Sequence, residues 1–309
     1  MGERVQGQRA FPALAQPTMR RLTIWHEMRR NIAAYLFLSP FFVIFSIFLL
    51  FPILFSFYIS FFDWPGMGAR TFIGLDNYRL LLNDPPFLTA LRNTAFIGVA
   101  HVVSTVVIAT ILGVLLDSER IRFKQFWQPV VFIPSITATI ALALVFQMLL
   151  GTQYGVINDG LAWLGVGRIP WLDQTGWARW SLVGVIDWRW TGYNAVIVLA
   201  GLKAINRDIY EAATVDGASW FRQLIDITVP LLRPILLFIS ITSTIGILQL
   251  FTEPFILTPD SAPTLGLYLY QTAFTYFQFG YGSAIAYFIT GLAFVLALAQ
   301  FKAFGRSVD

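Results

Sequence analysis

The chain of 309 residues has no cysteine and only two histidines, His26 and His101. Lack of cysteine excludes disulfides, thiolate metal sites and a cysteine nucleophile together. Two isolated imidazoles do not supply the three or four ligands that a metal centre needs. Charge is scarce as well: 12% of the residues are Asp, Glu, Lys or Arg, against about 25% in an ordinary soluble domain. No Gly-x-x-x-x-Gly-Lys-Ser/Thr occurs, so the chain has no loop of its own to cradle nucleotide phosphates. Internal repeats and low-complexity tracts are missing too.

What is there is apolar. Hydrophobic residues make up 57% of the chain and the mean hydropathy is +0.67, which calls for a non-aqueous solvent. The chain reads as an all-α integral membrane protein. A helix needs about 20 apolar residues to cross the hydrocarbon, and six segments are expected to do so. They run from Asn31 to Phe62, Asn93 to Leu116, Phe126 to Leu150, Trp180 to Leu202, Pro234 to Leu257 and Tyr281 to Phe301. The first is too long for a signal-peptide core and lacks a small-residue cleavage site, so it is read as a retained helix, tilted or continuing beyond the bilayer.

The placement of the basic residues, more than the net charge of +4, carries the meaning. With the N-terminus inside, 15 Lys and Arg fall on the inner side and five outside (Arg70, Arg79, Arg92, Arg168, Arg179), with Arg189 in a span. This asymmetry puts both termini in the cytoplasm and gives no reason to expect a nucleic-acid partner. Trp64 and Trp177 outside, with Trp127 and Trp220 inside, fit interfacial belts. Residues 1–30 are expected to form a cytoplasmic N-terminal segment. Gly2 to Thr18 is expected to be disordered, and Met19 to Arg30 a basic amphipathic helix on the inner surface. Residues 31–305 then form the transmembrane domain.

The segment 205–230 is polar and helix-prone, and it lies on the inner side. Asp208 to Ala213 reads as a short helix with acids early, where the helix dipole favours them. Ala212 and Ala213 are small enough for close approach. Gly217 can take positive φ and turn the chain. Ser219 is a plausible N-cap for a second short helix through Trp220, Phe221, Leu224 and Ile225. Pro230 and Pro234 punctuate the return to the membrane. Two short helices joined by a glycine turn make a compact knob suited to a socket.

The same segment resembles the EAA loop of importer permeases driven by an ATP-binding cassette. Glu211, Ala212, Ala213 and Gly217 match, Asp216 and Ala218 match the carbohydrate version, and Ile227 and Pro230 close it, with Val229 replacing the usual leucine. The resemblance covers most of the chain. Phe72 to Tyr78, Tyr154 to Asn158, Trp190 to Asn194, Ala200 to Leu202 and Phe279 to Ala284 are each similar to corresponding segments of the maltose-type, binding-protein-dependent sugar permeases. Thr258 to Pro263 departs from their usual Thr-Gly-Gly-Gly-Pro.

The resemblance implies a type I importer fold of six transmembrane helices in a bacterial cytoplasmic membrane. It implies a second permease subunit, usually non-identical, two copies of an ATPase, and an extracytoplasmic solute-binding protein. ATP and Mg would be bound by the ATPase, with no cofactor in this chain. Glu211 would pair with a basic residue of the ATPase, and the Ala212 to Gly217 knob would sit in its cleft.

Charges inside a span cost about 2.5–3.5 kcal/mol each at the helix centre. The fourth segment carries Asp187 and Arg189, which do not face each other on a helix. Gly192 is a candidate for local unwinding. Trp188, Trp190 and Tyr193 offer faces on which a sugar ring can stack, while Arg189 and Asn194 offer polar contacts. Gln249 and Glu253, four apart, are expected to share a helix face. Glu253 can accept sugar hydroxyls or neutralise Arg189 as a buried pair, and both readings stand. His101 is expected to hydrogen-bond a neighbouring helix. Polyols, a phosphorylated polyol or an amino sugar are alternative solutes. An ion-coupled carrier working alone is the alternative class, and it leaves the knob unexplained; an integral membrane enzyme fails for want of a catalytic constellation.

Overall fold

The computed structural model of the protein describes residues 31–118 and 121–305. The amphipathic tract expected at Met19 to Arg30 therefore lies outside the described residues, as do Arg120 and Arg306. The chain divides into two compact units, Met1–Leu54 and Phe55–Asp309. The described part of the first is helical, and all of its residues are exposed.

Helix α1 is Ile32–Ile59. A two-residue antiparallel pair follows, β1 Phe62–Asp63 and β2 Thr71–Phe72. Then come α2 Asp76–Asn83, α3 Pro85–Asp117, α4 Lys124–Ile136, α5 Thr139–Leu150 and α6 Val156–Trp163. The rest are α7 Thr175–Ala204, α8 Arg207–Val215, α9 Trp220–Leu248, α10 Thr252–Leu257, α11 Leu265–Tyr270 and α12 Phe279–Gly305. Apart from the two tiny strands, the regular structure of the described residues is helical.

Among the described residues, four helices (α1, α3, α9 and α12) are long and apolar enough to cross a membrane, and a fifth span results if α4 and α5 count as one. With 30 residues, α7 is long enough, at about 45 Å. Asp187, Arg189 and its hydroxyl and amide side chains make it too polar to qualify by composition. The chain is a multi-pass membrane protein.

Several expectations need correction. The third segment is two helices: α4 and α5 meet at 94°. Pro134 withholds a helical N–H from Val130, α4 ends two residues later, and Thr137 and Ala138 are extended. By contrast, α7 is unbroken through Gly192. There the helix crosses α4, and a β-carbon on Gly192 would stand 1.8 Å from the carbonyl oxygen of Val131. Gly192 serves close packing, as small residues do between membrane helices.

The fifth helix begins at Trp220, not Pro234, and neither proline stops it. A wide π turn spans Leu224–Thr228, two residues before Pro230, and a similar turn at Ser46–Leu50 precedes Pro52. In each case the carbonyl four residues before proline, which would clash with its ring in a regular helix, lies within the wider turn. The helix ends at Leu248, and α10 starts only at Thr252. Gln249 and Glu253 thus belong to different elements and share no helix face.

Within the second unit, α7 is the central strut. Its Ala195 and Val198 pack on α3, where a β-carbon on Gly113 would stand 2.6 Å from Val198 Cγ1. Leu202 of α7 joins Leu232, Leu236 and Ile239 of α9 in the same cluster. Nearer the other end, Leu182, Val185 and Ile186 pack with Ile97, Leu142, Ala143 and Ile247. The loop carrying α6 is organised by the fully buried Asn158. Its amide donates to the Ile169 carbonyl at 2.9 Å and accepts from Ile169 N and Trp171 Nε1.

Candidate functional site: a helical knob and a polar mid-helix cluster

The knob forms as its residues dictate. Asn206 caps α8, its side-chain oxygen accepting from Asp208 N at 3.1 Å. At the other end Gly217 takes φ of 78°. Gly217 N donates to Thr214 O and Ala218 N to Ala213 O, the double closure of a Schellman turn. Asp216 is the C-cap. Ser219 then caps the next helix, accepting from Arg222 N.

Side chains lock the halves together. Gln223 Nε2 donates to Thr214 Oγ1 at 3.0 Å and to Ala218 O at 3.1 Å. Tyr210 and Thr228 hydroxyls lie 3.0 Å apart, tying α8 to the π turn. Glu211, Ala212, Asp216 and Gly217 are exposed, Ala213 and Ala218 half-buried, and Pro230 half-buried in the first turn after the π turn. Large apolar side chains stand out in solvent here: Val215, Trp220 and Phe221. A cavity of about 820 Å³ opens beside them, lined by Asp117, Lys203, Arg207, Tyr210, Glu211 and Trp220 among others. A rigid, two-helix projection with an exposed carboxylate and an apolar fringe is built to be gripped.

The second cluster surrounds the middle of α7. Arg189 Nη1 donates to Glu253 Oε1 at 3.0 Å, with the two side chains 12% and 6% exposed. Arg189 Nε has no hydrogen-bond partner, and the guanidinium lies 5.0 Å from the Trp190 ring centre. Of the two readings of this pair, the geometry shows the ionic contact between α7 and α10.

Trp188, Trp190 and Tyr193 are exposed. Trp190 and Tyr193 meet edge to face, and Tyr193 reaches Phe132 of α4. Trp188 leaves this group and packs on Phe146 of α5. Asn194 is buried, about 100° around the helix from Tyr193, and Gln249 is exposed at the end of α9. So Arg189, Trp190, Tyr193 and Glu253 come together, whereas Trp188, Asn194 and Gln249 point elsewhere.

On a neighbouring helix His101 finds Asp187: Nδ1 donates to Oδ1 at 2.6 Å, and Thr105 Oγ1 donates to the same oxygen at 3.0 Å. Thr105 was not singled out in the sequence. Its four-residue spacing from His101 on an apolar helix was the available signal. A further cluster went unread: Tyr268 and Tyr281 hydroxyls both donate to Asp84 Oδ2, at 2.5 and 2.6 Å.

Comparison with known proteins agrees with this architecture. The sequence model of the binding-protein-dependent transport system inner membrane component family matches residues 109–308. The lactose transport system permease protein LacF of Rhizobium radiobacter is 36% identical over 282 residues, covering 88% of this chain and 94% of that protein. The arabinooligosaccharides transport system permease protein AraP of Bacillus subtilis is 31% identical over 297 residues, 94% of each chain. Among solved structures, a chain of a bacterial ABC transporter involved in import of the acidic polysaccharide alginate superposes with a TM-score of 0.80. It is 22% identical and covers 93% of this chain and 99% of its own. By sequence and by fold, the chain belongs to the binding-protein-dependent transport system inner membrane components, the permease subunits of importers.

Proposed function

We propose that this chain is one permease subunit of an ATP-driven importer that takes a sugar or oligosaccharide from an extracytoplasmic binding protein. In this reading it crosses the bacterial cytoplasmic membrane six times, with α7 and the bent α4–α5 pair each counted as a span. Both termini and the Glu211 knob are cytoplasmic. A second, non-identical permease subunit completes the path, and two copies of an ATPase hold ATP and Mg.

The observation that carries the proposal is the knob. It is closed by a Schellman turn, cross-braced by Gln223, and presents Glu211 and Gly217 to solvent. Binding of ATP to the partner subunits would act on Glu211, Ala212, Ala213, Asp216, Gly217 and Ala218. Because α9 runs unbroken from the knob past Pro230 to Leu248, motion of the knob reaches the middle of the membrane through one rigid element. Coupling further requires that the inward- and outward-facing states differ in affinity for partner and solute.

The solute would meet Arg189, Trp190, Tyr193 and Glu253. Aromatic faces stack on the C–H faces of a sugar ring, and the ion pair has lone pairs and donors left for hydroxyls. The pair is neutral as a unit, which favours an uncharged sugar over a phosphorylated polyol. Relatives whose names specify lactose, arabinooligosaccharides, and trehalose with maltose support the same solute class.

The test is ATPase activity of this chain assembled with its ATPase and second permease. Wild type is compared with Glu211→Ala, adding a binding protein loaded with each of a panel of sugars. Stimulation by one loaded binding protein, lost in the variant, is the expected result. Gradient-driven uptake by the chain alone would overturn it in favour of an ion-coupled carrier.

A further inference from the structure

Asp187 and Arg189 are two residues apart on a continuous helix, so their side chains leave α7 about 200° from one another. Each makes a polar contact with another helix, and the two contacts differ in kind. Arg189 reaches Glu253 on α10, a six-residue helix separated from α9 by a break. Asp187 reaches His101 and Thr105 on α3, a helix of 33 residues without interruption. One side of α7 is tied to a short, discontinuous piece, the other to a rigid strut.

The residues following Asp187 show which face this second contact fixes. Thr191, Asn194 and Val198 continue its stripe at helical spacing, and all are buried. Tyr193 lies about 120° around the helix from Asp187 and is exposed, and Trp190, about 60° away at the edge of the stripe, is exposed as well. His101 and Thr105 are themselves buried, with 2% and 0% of their surface exposed. A well-packed apolar cluster would hold two helices together at least as well as a buried pair of polar groups does. Apolar contacts, however, tolerate rotation and sliding, whereas a hydrogen bond to one carboxylate oxygen at 2.6 Å does not. Buried polar groups of this kind are best attested as devices that set register.

We propose that His101 and Thr105 are positioning residues. Through Asp187 they fix the rotation of α7, so that Arg189, Trp190 and Tyr193 face the solute path. The inference rests on the sugar-importer reading for what those three residues touch, but not for the register itself. When solute hydroxyls compete for Arg189 or Glu253, the α10 contact loosens. The Asp187 contact is then what keeps α7 from turning.

The absence of cysteine makes the register directly measurable. Tyr193→Cys and Asn194→Cys are made singly in the full chain in lipid nanodiscs, and labelling by a water-soluble maleimide is timed. With His101 present, the residue-193 variant labels and the residue-194 variant is protected. Adding His101→Leu should bring the two rates together by about fivefold, the weight of one hydrogen bond in a two-state equilibrium. His101→Gln, which keeps a donor, should restore the difference.

An unchanged labelling ratio in a normally assembled His101→Leu protein would overturn the proposal. If that variant does not accumulate, Thr105→Val removes one donor at nearly constant shape and is read by the same standard. In the assembled transporter, His101→Leu should also blunt the discrimination between sugars delivered by the same binding protein. The labelling assay uses no sugar, so a failure of the importer reading leaves its result interpretable.

Discussion

Gly192 of α7 lies so close to Val131 of α4 that a β-carbon would stand 1.8 Å from the Val131 carbonyl oxygen. Backbone cannot yield as a side chain tip can. Gly192→Ala therefore has to push α4 and α7 apart, and overpacking of this kind costs about 1–3 kcal/mol. The expected outcome is a lower unfolding temperature in detergent. Gly184→Ala, where a β-carbon meets nothing within 4 Å, should leave it unchanged or slightly higher.

Glu211 is exposed, and among the described residues its side chain makes no hydrogen bond or ion pair. Glu211→Ala should leave the unfolding temperature of the purified chain within error, yet abolish ATPase stimulation in the assembled transporter. Gly217→Ala differs, because φ of 78° is strained for alanine, at a cost of about 1 kcal/mol in the turn. It should weaken capture of the ATPase while leaving the membrane helices intact, as measured by co-purification.

Arg189 and Glu253 are both nearly buried and paired at 3.0 Å. Arg189→Met alone or Glu253→Leu alone strands a charge and should cost about 3–5 kcal/mol. The double variant should recover most of that loss, because two apolar groups make no such demand. Thermal unfolding of the four proteins measures the coupling. If the stable double variant no longer transports, the pair contacts solute as well as holding helices.

The Tyr268 hydroxyl donates to Asp84 at 2.5 Å. Burial first, then this bond and the Asp84 charge, push its pKa from 10.0 up to about 12. A native state that holds a proton more tightly than the unfolded chain gains stability below the unfolded value and loses it above. The contribution of Tyr268 is thus full below pH 10 and disappears as pH climbs toward 12. Thermal melts from neutral to strongly alkaline pH should show this loss, and Tyr268→Phe should flatten it.

The knob was the most legible part of the chain. Its caps, its glycine turn and its exposed carboxylate arise from residues close in sequence, whose preferences are local. The mid-helix cluster was legible only as a list of residue types. Arg189 and Glu253 were marked by the cost of charge in an apolar span, and their contact was one of two open readings. Trp188, Asn194 and Gln249 looked equivalent to Trp190 and Tyr193, because spacing in one chain does not say which side of a helix its neighbours cover. Gln249 was further misplaced by assuming that apolar sequence from Pro234 to Leu257 meant one helix.

By itself the sequence determined the solvent, the uneven placement of the basic residues along the chain, and the glycine turn and exposed carboxylate of the Glu211 knob. Composition and local hydrogen bonding settle such properties. Only the tertiary structure decided that α4 and α5 bend by 94° while α7 passes Gly192 unbroken. It also decided that Asp187 belongs to His101, 86 residues away. Inside a bilayer, no water is at hand to satisfy a polar group. Its partner is whichever donor or acceptor another helix brings within reach, and that follows from packing among segments far apart in the chain.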